Sequence, residues 1–262
     1  MDILNEIAAK TKVRISEQQK IIPLAEMRNT AESLAKNKYN SHSFYKALCG
    51  SGIHCICEVK KASPSKGLIA PDFDYVSIAK DYEKGGASAV SVLTEPYWFL
   101  GRNEYLKEIR KNISIPILRK DFTVDDYMIY EAKVIGADAV LLICTITEDG
   151  VLKHRIELAK SLGLTPLVEA HNESEIKSAI NAGAEIIGVN NRNLKDFSVD
   201  ITLSTKFRNE VPDNILFVAE SGITSPQQVK ELEKQGVNAV LVGEVLMRSQ
   251  DRLKTVREFC GR

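Results

Sequence analysis

An α/β chain whose parallel strands close into a barrel is what this sequence predicts, on three observations. From Ile53 onward, short apolar runs alternate with amphipathic stretches of about ten to fifteen residues, the pattern of repeated βα units. The runs number eight: Ile53–Val59, Ala89–Leu93, Ile115–Leu118, Ala139–Ile143, Leu164–Val168, Ile186–Val189, Ile215–Ala219 and Ala239–Val242. Third, Gly86-Ala-Ser-Ala-Val, Gly136-Ala-Asp-Ala-Val, Gly183-Ala-Glu-Ile-Ile and Gly236-Val-Asn-Ala-Val recur at intervals of 50, 47 and 53 residues. Each is a helix-ending glycine followed at once by a strand, and together they fall on strands two, four, six and eight. Eight parallel strands with helices outside close naturally into a (β/α)8, or TIM, barrel. A doubly wound open sheet, the rival, does not account for a quarter-barrel repeat that runs to the end of the chain.

Residues 1–50 precede the first strand and carry no strand signal. Ile3, Leu4, Ile7 and Ala8 are spaced as on one helix face, with charged residues between them. Pro23 interrupts the segment, a second helix is expected from about Thr30 to Lys38, and a short third over Phe44–Cys49 ahead of Gly50 and Gly52. The segment is too short and too charged for a core of its own. It therefore reads as a helical extension of a barrel at 51–262, the whole forming one structural domain. In strand one, alternation puts Ile56, Glu58 and Lys60 on one face and Cys55, Cys57 and Val59 on the other. The apolar face suits packing under helices. The other ends in two opposite charges, which are costly at a buried strand end unless they pair or have a task.

Composition removes whole classes of function. Lys plus Arg and Asp plus Glu both total 35, so the net charge is zero and no general field attracts nucleic acid or an anionic membrane. A small anionic ligand in a local pocket stays open. The N-terminus lacks the apolar core of a signal peptide, and no later run is long enough to span a bilayer, so a cytoplasmic protein is expected. The five cysteines (Cys49, Cys55, Cys57, Cys144, Cys260) are odd in number and lack a metal spacing, which favours buried thiols over zinc or a disulfide. His42, His54, His154 and His171 include no ligand-spaced pair, and there is neither a Gly-x-Gly-x-x-Gly nor a P-loop. No metal and no cofactor are expected.

In such barrels the chemistry collects where strands end and βα loops begin. Strand one offers Glu58 and Lys60 there, strand two Thr94 and Glu95, and strand three Lys120. Strand five gives Glu169, strand six Asn190 and Asn191, strand seven Glu220 and strand eight Glu244, while strand four ends quietly in Cys144 and Thr145. One polar strand end is commonplace; Glu58, Glu169, Glu220, Lys60 and Lys120 on one rim are not. Lys120 can share the inward face with Leu118, leaving Arg119 and Asp121 for the opposite face. A lysine there, desolvated or near other cations, can have a lowered pKa and serve as general acid. The plainer alternative is a salt bridge to Glu58 or Glu220. Both hold if pairing orients the ammonium until substrate arrives.

Loops seven and eight read as an anion site. Ala219-Glu-Ser-Gly-Ile-Thr-Ser-Pro-Gln-Gln supplies a hydroxyl and backbone N–H groups at Ser221 and Gly222. Ser225, Pro226 and Gln228 then fit an N-cap, a first helical position and a capping-box partner. Val242-Gly-Glu-Val-Leu-Met-Arg follows strand eight with a glycine that lets backbone approach a ligand, then a helix. Such loops with a helix N-terminus form the usual barrel phosphate site, against the alternative of two ordinary turns. Ser63, in the Ser-Pro-Ser loop after strand one, adjoins strand eight in a closed barrel and offers a third donor. Tyr97, Trp98 and Phe99 after strand two form either a lid or packing for the N-terminal helices.

Together these residues resemble the indole-3-glycerol-phosphate synthase family over almost the whole chain. The likeness is carried by Ile-Leu-Asn-Glu-Ile and Pro-Leu-Ala-Glu-Met in the extension, Glu-Val-Lys-Lys-Ala-Ser-Pro-Ser-Lys-Gly at strand one and Ser-Val-Leu-Thr-Glu at strand two. Arg-Lys-Asp-Phe, Leu-Val-Glu-Ala-His, Gly-Val-Asn-Asn-Arg-Asn-Leu, Ala-Glu-Ser-Gly-Ile and Val-Gly-Glu-Val-Leu-Met-Arg follow in order. The resemblance implies closure of an indole ring on 1-(2-carboxyphenylamino)-1-deoxyribulose 5-phosphate, with loss of carbon dioxide and water. It implies Lys120 as the general acid and Glu169 as the carboxylate assisting dehydration. Lys60 binds the anthranilate carboxylate or donates a proton, and Glu58 holds the lysines. Asn190 and Glu220 are implied as substrate-hydroxyl and network residues, Arg192 as a carboxylate contact, and Phe99 and Phe122 as flanks of the aromatic ring. Phosphate meets Ser63, Ser221, Gly222, Gly243 and the backbone N–H of Glu244. One departure is visible: Leu100-Gly101-Arg102-Asn103 stands where the family usually shows a Gly-Gly-Ser-like loop.

Three rivals remain on the residues alone. Phosphoribosylanthranilate isomerase is a sister phosphate barrel, but it does not need the extension and is expected to use a Cys/Asp pair where this chain offers Lys and Glu. A class I aldolase would form a Schiff base on Lys60 or Lys120. A non-catalytic barrel would have no reason to keep charges in its mouth. The expected partner is a small phosphorylated substrate, with no nucleic acid and no membrane. The protein is expected to be a monomer that associates at most weakly with other tryptophan-pathway enzymes, with no fused isomerase domain.

Overall fold

All eight apolar runs become strands in the computed structural model, which describes residues 3–36, 42–193 and 197–262. They are β1 (His54–Val59), β2 (Ala89–Leu93), β3 (Ile117–Lys120) and β4 (Ala139–Ile143). β5 (Thr165–Ala170), β6 (Ile186–Asn190), β7 (Leu216–Glu220) and β8 (Ala239–Val242) complete the set. Each pairs in parallel with its sequence neighbours, and β1 pairs with β8, so the barrel is closed. β3 and β5 run two residues further than the sequence suggests, because the ladder continues through the polar rim residues Lys120 and Glu169.

Alternation along the strands builds two cores. Ile56, Leu118, Leu141, Leu167, Val218 and Leu241 fill the barrel interior, while Cys55, Cys57, Val59, Val90 and Val140 face the helices. Those helices are α4 (Tyr75–Gly85), α5 (Asn103–Arg110), α6 (Asp126–Val134), α7 (Asp149–Ser161) and α8 (Glu173–Asn181). α9 (Thr202–Arg208), α10 (Pro226–Lys234), α11 (Glu244–Arg248) and α12 (Arg252–Phe259) close the ring. The four echo glycines after α4, α6, α8 and α10 have φ of +97°, +92°, +84° and +80°, the left-handed stop that frees the chain to enter the next strand.

The extension wraps the barrel from end to end. It comprises α1 (Ile3–Ile21), α2 (Leu24–Ala35) and α3 (Ser43–Ala47). On α1, Leu4 and Ile7 pack with the barrel interior at its mouth; α2 lies along α6; and Phe44 of α3 packs with Leu48 in the same interior cluster. At the opposite end, Ser43 Oγ donates to Asp138 Oδ1 at 2.8 Å, one residue before β4. The second helix begins at Leu24 rather than near Thr30. Pro23 does interrupt the segment, between the end of α1 at Ile21 and the start of α2, and it is the N-cap of α2 at φ −60°. Lys38, to which the sequence extends this helix, and Leu194 of the Asn-Asn-Arg-Asn-Leu motif lie outside the described residues.

All five cysteines are free; Cys55, Cys57 and Cys144 are buried, whereas Cys49 is exposed and Cys260 half-buried, so buried thiols describe only three of them. Among the described residues no helix is long and apolar enough to cross a membrane.

Candidate active site

The strand ends converge on one cavity of about 890 Å³ at the mouth, lined by Glu58, Lys60, Lys120, Glu169, Asn190 and Glu220. Two ammonium–carboxylate sets face each other there. Lys60 Nζ lies 2.5 Å from Glu58 Oε2, within one strand end. Lys120 Nζ bridges two strands, 3.0 Å from Glu220 Oε2 and 3.2 Å from Glu169 Oε2. Asn190 Nδ2 donates to Glu169 Oε1 at 3.3 Å. Both Glu169 and Glu220 are buried, which makes these contacts strong and their imbalance expensive.

The three central groups are pushed apart electrostatically. Burial alone would lower the Lys120 pKa, but Glu220, Glu169 and Glu58 outweigh it and raise it. The lowered lysine expected from sequence is therefore overturned: its neighbours are anions, not cations. Burial works against the Glu169 charge as well, yet Lys120 and His171 hold this carboxyl well below the usual range. Glu220 goes the other way. Burial, with Glu169 and Glu58 adding repulsion, lifts it to about 7 despite Lys120. Its Oε1 is buried and has no hydrogen-bond partner among the described residues.

Two glycines make room for these carboxylates. A Cβ on Gly188 of β6 would collide with Glu220 Oε1, and one on Gly243 would collide with Glu58 Oε2. The strands can approach the acids only because those positions lack side chains.

The far wall of the cavity is built from the residues expected to form an anion site. Ser221 and Gly222 have φ of +65° and +78°, two consecutive residues in the left-handed region. Ser225, Pro226 and Gln228 form the expected capping box at the start of α10. Gly243 is the N-cap of α11, and the Glu244 carboxylate swings away to Arg248 at 3.2 Å and Lys66 at 3.6 Å. Ser63 lines the same cavity from a two-residue hairpin strand paired with Gly67. Arg192 lines it too, with Nη1 donating to Phe197 O at 3.2 Å. Phe99 and Phe122 form one aromatic wall, their centroids 6.0 Å apart, too close for another ring to lie between them.

Several strand-end residues serve the scaffold. Glu95 accepts the N–H groups of Tyr97, Trp98 and Phe99, which fixes the loop after β2. Trp98 and Phe99 pack on the interior cluster, and Lys10 of α1 lies 5.2 Å over the Tyr97 ring, so this loop packs the extension. Within Leu100-Gly101-Arg102-Asn103, Gly101 donates to Glu95 O at 2.7 Å and Asn103 Oδ1 accepts from Arg119. Asn191 holds Ser204 and the Ser221 carbonyl.

Sequence reasoning missed His171, whose Nε2 is 3.2 Å from Glu169 Oε1. The signal was present: Glu169 and His171 are two apart at a strand end and so share a face. It also missed that Ile3, Leu4 and Ile7 of α1 line the cavity, and that Arg14 Nη2 of α1 binds both oxygens of Asp121, at 2.9 and 3.0 Å.

The family model described as indole-3-glycerol phosphate synthase matches residues 4–259. The chain belongs to the indole-3-glycerol phosphate synthase family. An indole-3-glycerol phosphate synthase of Ruminiclostridium cellulolyticum is 54% identical over 249 residues, covering 95% of each chain. One of Endomicrobium trichonymphae is 54% identical over 259 residues, covering 98% of this chain and 99% of its own. Among solved structures, 3-hexulose-6-phosphate synthase from Salmonella typhimurium has a TM-score of 0.64 at 17% identity, covering 80% of this chain and 97% of its own, a likeness of fold alone. Membership in the synthase family makes this protein a lyase of tryptophan biosynthesis and removes the isomerase, aldolase and scaffold readings.

Proposed function

We propose that this synthase closes the indole ring of 1-(2-carboxyphenylamino)-1-deoxyribulose 5-phosphate with Lys120 as general acid and Glu169 as the base of dehydration. The observation that carries this reading is one ammonium held between two buried carboxylates of opposite proton affinity. The cradle of Ser63, Ser221, Gly222, Gly243 and the Glu244 N–H holds the phosphate, and the ring lies against the Phe99–Phe122 wall. Lys60, oriented by Glu58, and Arg192 meet the anthranilate carboxylate. Asn190 and Glu220 meet the sugar hydroxyls.

In this scheme the ring carbon bearing the carboxylate attacks the ketone carbon while Lys120 gives a proton to the ketone oxygen. Carbon dioxide then leaves, and its bonding electrons restore the aromatic ring. The new hydroxyl leaves as water, protonated by a lysine, while Glu169 takes the proton from the adjacent carbon. Glu220, holding a proton near neutrality, is placed to return one to Lys120. A lysine with a raised pKa is a weak acid toward a neutral ketone, so transfer accompanies the growing alkoxide charge.

The extension and barrel act as one domain, since α1 lines the cavity that the strands build. The working form is a cytoplasmic monomer with at most weak contacts to other enzymes of the pathway. Light scattering at micromolar concentration tests the monomer. Growth of indole absorbance on mixing protein and substrate in EDTA tests the chemistry; no product from folded protein would overturn the residue roles.

A further inference from the structure

Glu169 has a second cation that the ring-closing scheme leaves unused. Lys120 holds Glu169 Oε2, while His171 Nε2 lies 3.2 Å from Oε1. The contact is an ion pair rather than an aligned hydrogen bond, for this buried nitrogen has no hydrogen-bond partner among the described residues. The other side of the ring is anchored on α8. Glu175 Oε2 accepts the His171 backbone N–H at 2.8 Å and sits 3.2 Å from Nδ1. Thr145 Oγ1 lies 3.1 Å from Nδ1 and donates to Glu175 Oε1 at 2.9 Å. Asn172 fixes Glu175 in turn, accepting its N–H and donating to its Oε1, both at 3.0 Å.

An imidazole with a carboxylate at each nitrogen is a cation. Burial alone would lower its pKa, but Glu169 and Glu175 raise it to about 10. These are the charged groups that face the ring, from β5 and α8; Cys144 at the end of β4 meets only the Glu175 carbonyl, at 3.6 Å. While Lys120 is an ammonium, Glu169 is neutralised from that side. Once Lys120 hands its proton to the substrate, a buried carboxylate beside Glu220 would take up a proton unless another cation remained. His171 remains, because it does not touch the reacting atoms.

We propose that His171 is a positioning residue for Glu169: it sets a fixed charge beside the oxygen that Asn190 Nδ2 also binds and that Lys120 does not hold, and it keeps Glu169 an anion after Lys120 has given up its proton. This rests on Glu169 acting as the base.

The test is the pH profile of the single-turnover rate in His171→Gln, which removes the charge and keeps a donor. The acid limb, set by protonation of Glu169, should move up by about one unit or more, with the rate recovering at higher pH and KM within about threefold. Glu175→Gln should move the limb the same way by less, and nuclear magnetic resonance should show the wild-type His171 ring still charged at pH 8. A uniform rate loss with an unmoved limb in both variants, or a ring neutral at pH 8, would overturn the proposal. If His171→Gln does not fold, Glu175→Gln and the ring titration decide. Wild-type rates in Glu169→Gln would instead remove the role of Glu169 itself, a distinct failure.

Discussion

Arg119 and Lys120 are consecutive residues of one strand, both cations, both with carboxylate partners, and they have opposite fates. Arg119 points outward under α6 and is 2% exposed. Its guanidinium donates to Met128 O, Thr94 Oγ1, Asn103 Oδ1 and Glu131 Oε2, the last at 2.5 Å. Asp121, 3.7 Å away, is held below the usual carboxylate range: burial opposes its charge, but Arg14, Arg119 and Thr94 outweigh it. Every nitrogen of the Arg119 guanidinium has an acceptor. Lys120 points inward to a carboxylate lifted to about 7 and an orphaned oxygen on Glu220. A cation with every donor matched fits a scaffold role, and the unresolved set beside the cavity is what the proposed proton transfer requires.

Substitutions on the two sides should separate along that line. Lys120→Ala has the largest expected effect, a loss of kcat of at least about a thousandfold. Its fold is kept because Glu220 is free to take a proton. Next, Arg119→Met strands Glu131 and should cost about 3–5 kcal/mol of stability, read by denaturant unfolding. Glu169→Gln should lower kcat by about a hundredfold or more with KM nearly unchanged; a pure KM effect would reassign it to binding.

Glu220→Gln tests the imbalance through pH. The folded-state pKa of Glu220 is raised from 4.5 to about 7, so its contribution favours folding below pH 4.5 and is lost as pH rises through 7. The glutamine variant should therefore gain about 2–3 kcal/mol relative to wild type between pH 4 and pH 8. Arg14→Gln is the mildest. Asp121 keeps Thr94 and Arg119, so about 1–2 kcal/mol is lost. Because the depressed Asp121 pKa supplies stability that disappears as pH falls through it, acid unfolding should begin at higher pH in this variant.

The barrel was legible because each strand announces itself over four to six residues, and the glycine echo supplies its own punctuation. Glu58 and Lys60 were legible as a pair because they are two apart on one strand. The partners of Lys120 were only partly so. Glu169 and Glu220 lie 49 and 100 residues away, and barrel closure alone decides that they meet it. The direction of the Lys120 shift was illegible for the same reason, since it depends on which charges surround the ammonium. Pro23 was legible as the break between two helices, but the start of the second was placed near Thr30 because a proline can also cap the helix that follows it at once. His171 was passed over for lacking a second histidine at ligand spacing, although its partner is a carboxylate two residues before it.

The most direct test sets Lys120→Ala beside Arg119→Met and measures single-turnover indole formation and calorimetric unfolding on the same samples. The account predicts a crossed result: Lys120→Ala loses turnover and keeps its transition, while Arg119→Met loses stability but turns over wherever it is folded. Wild-type-like turnover in Lys120→Ala, or turnover lost from fully folded Arg119→Met, would contradict it.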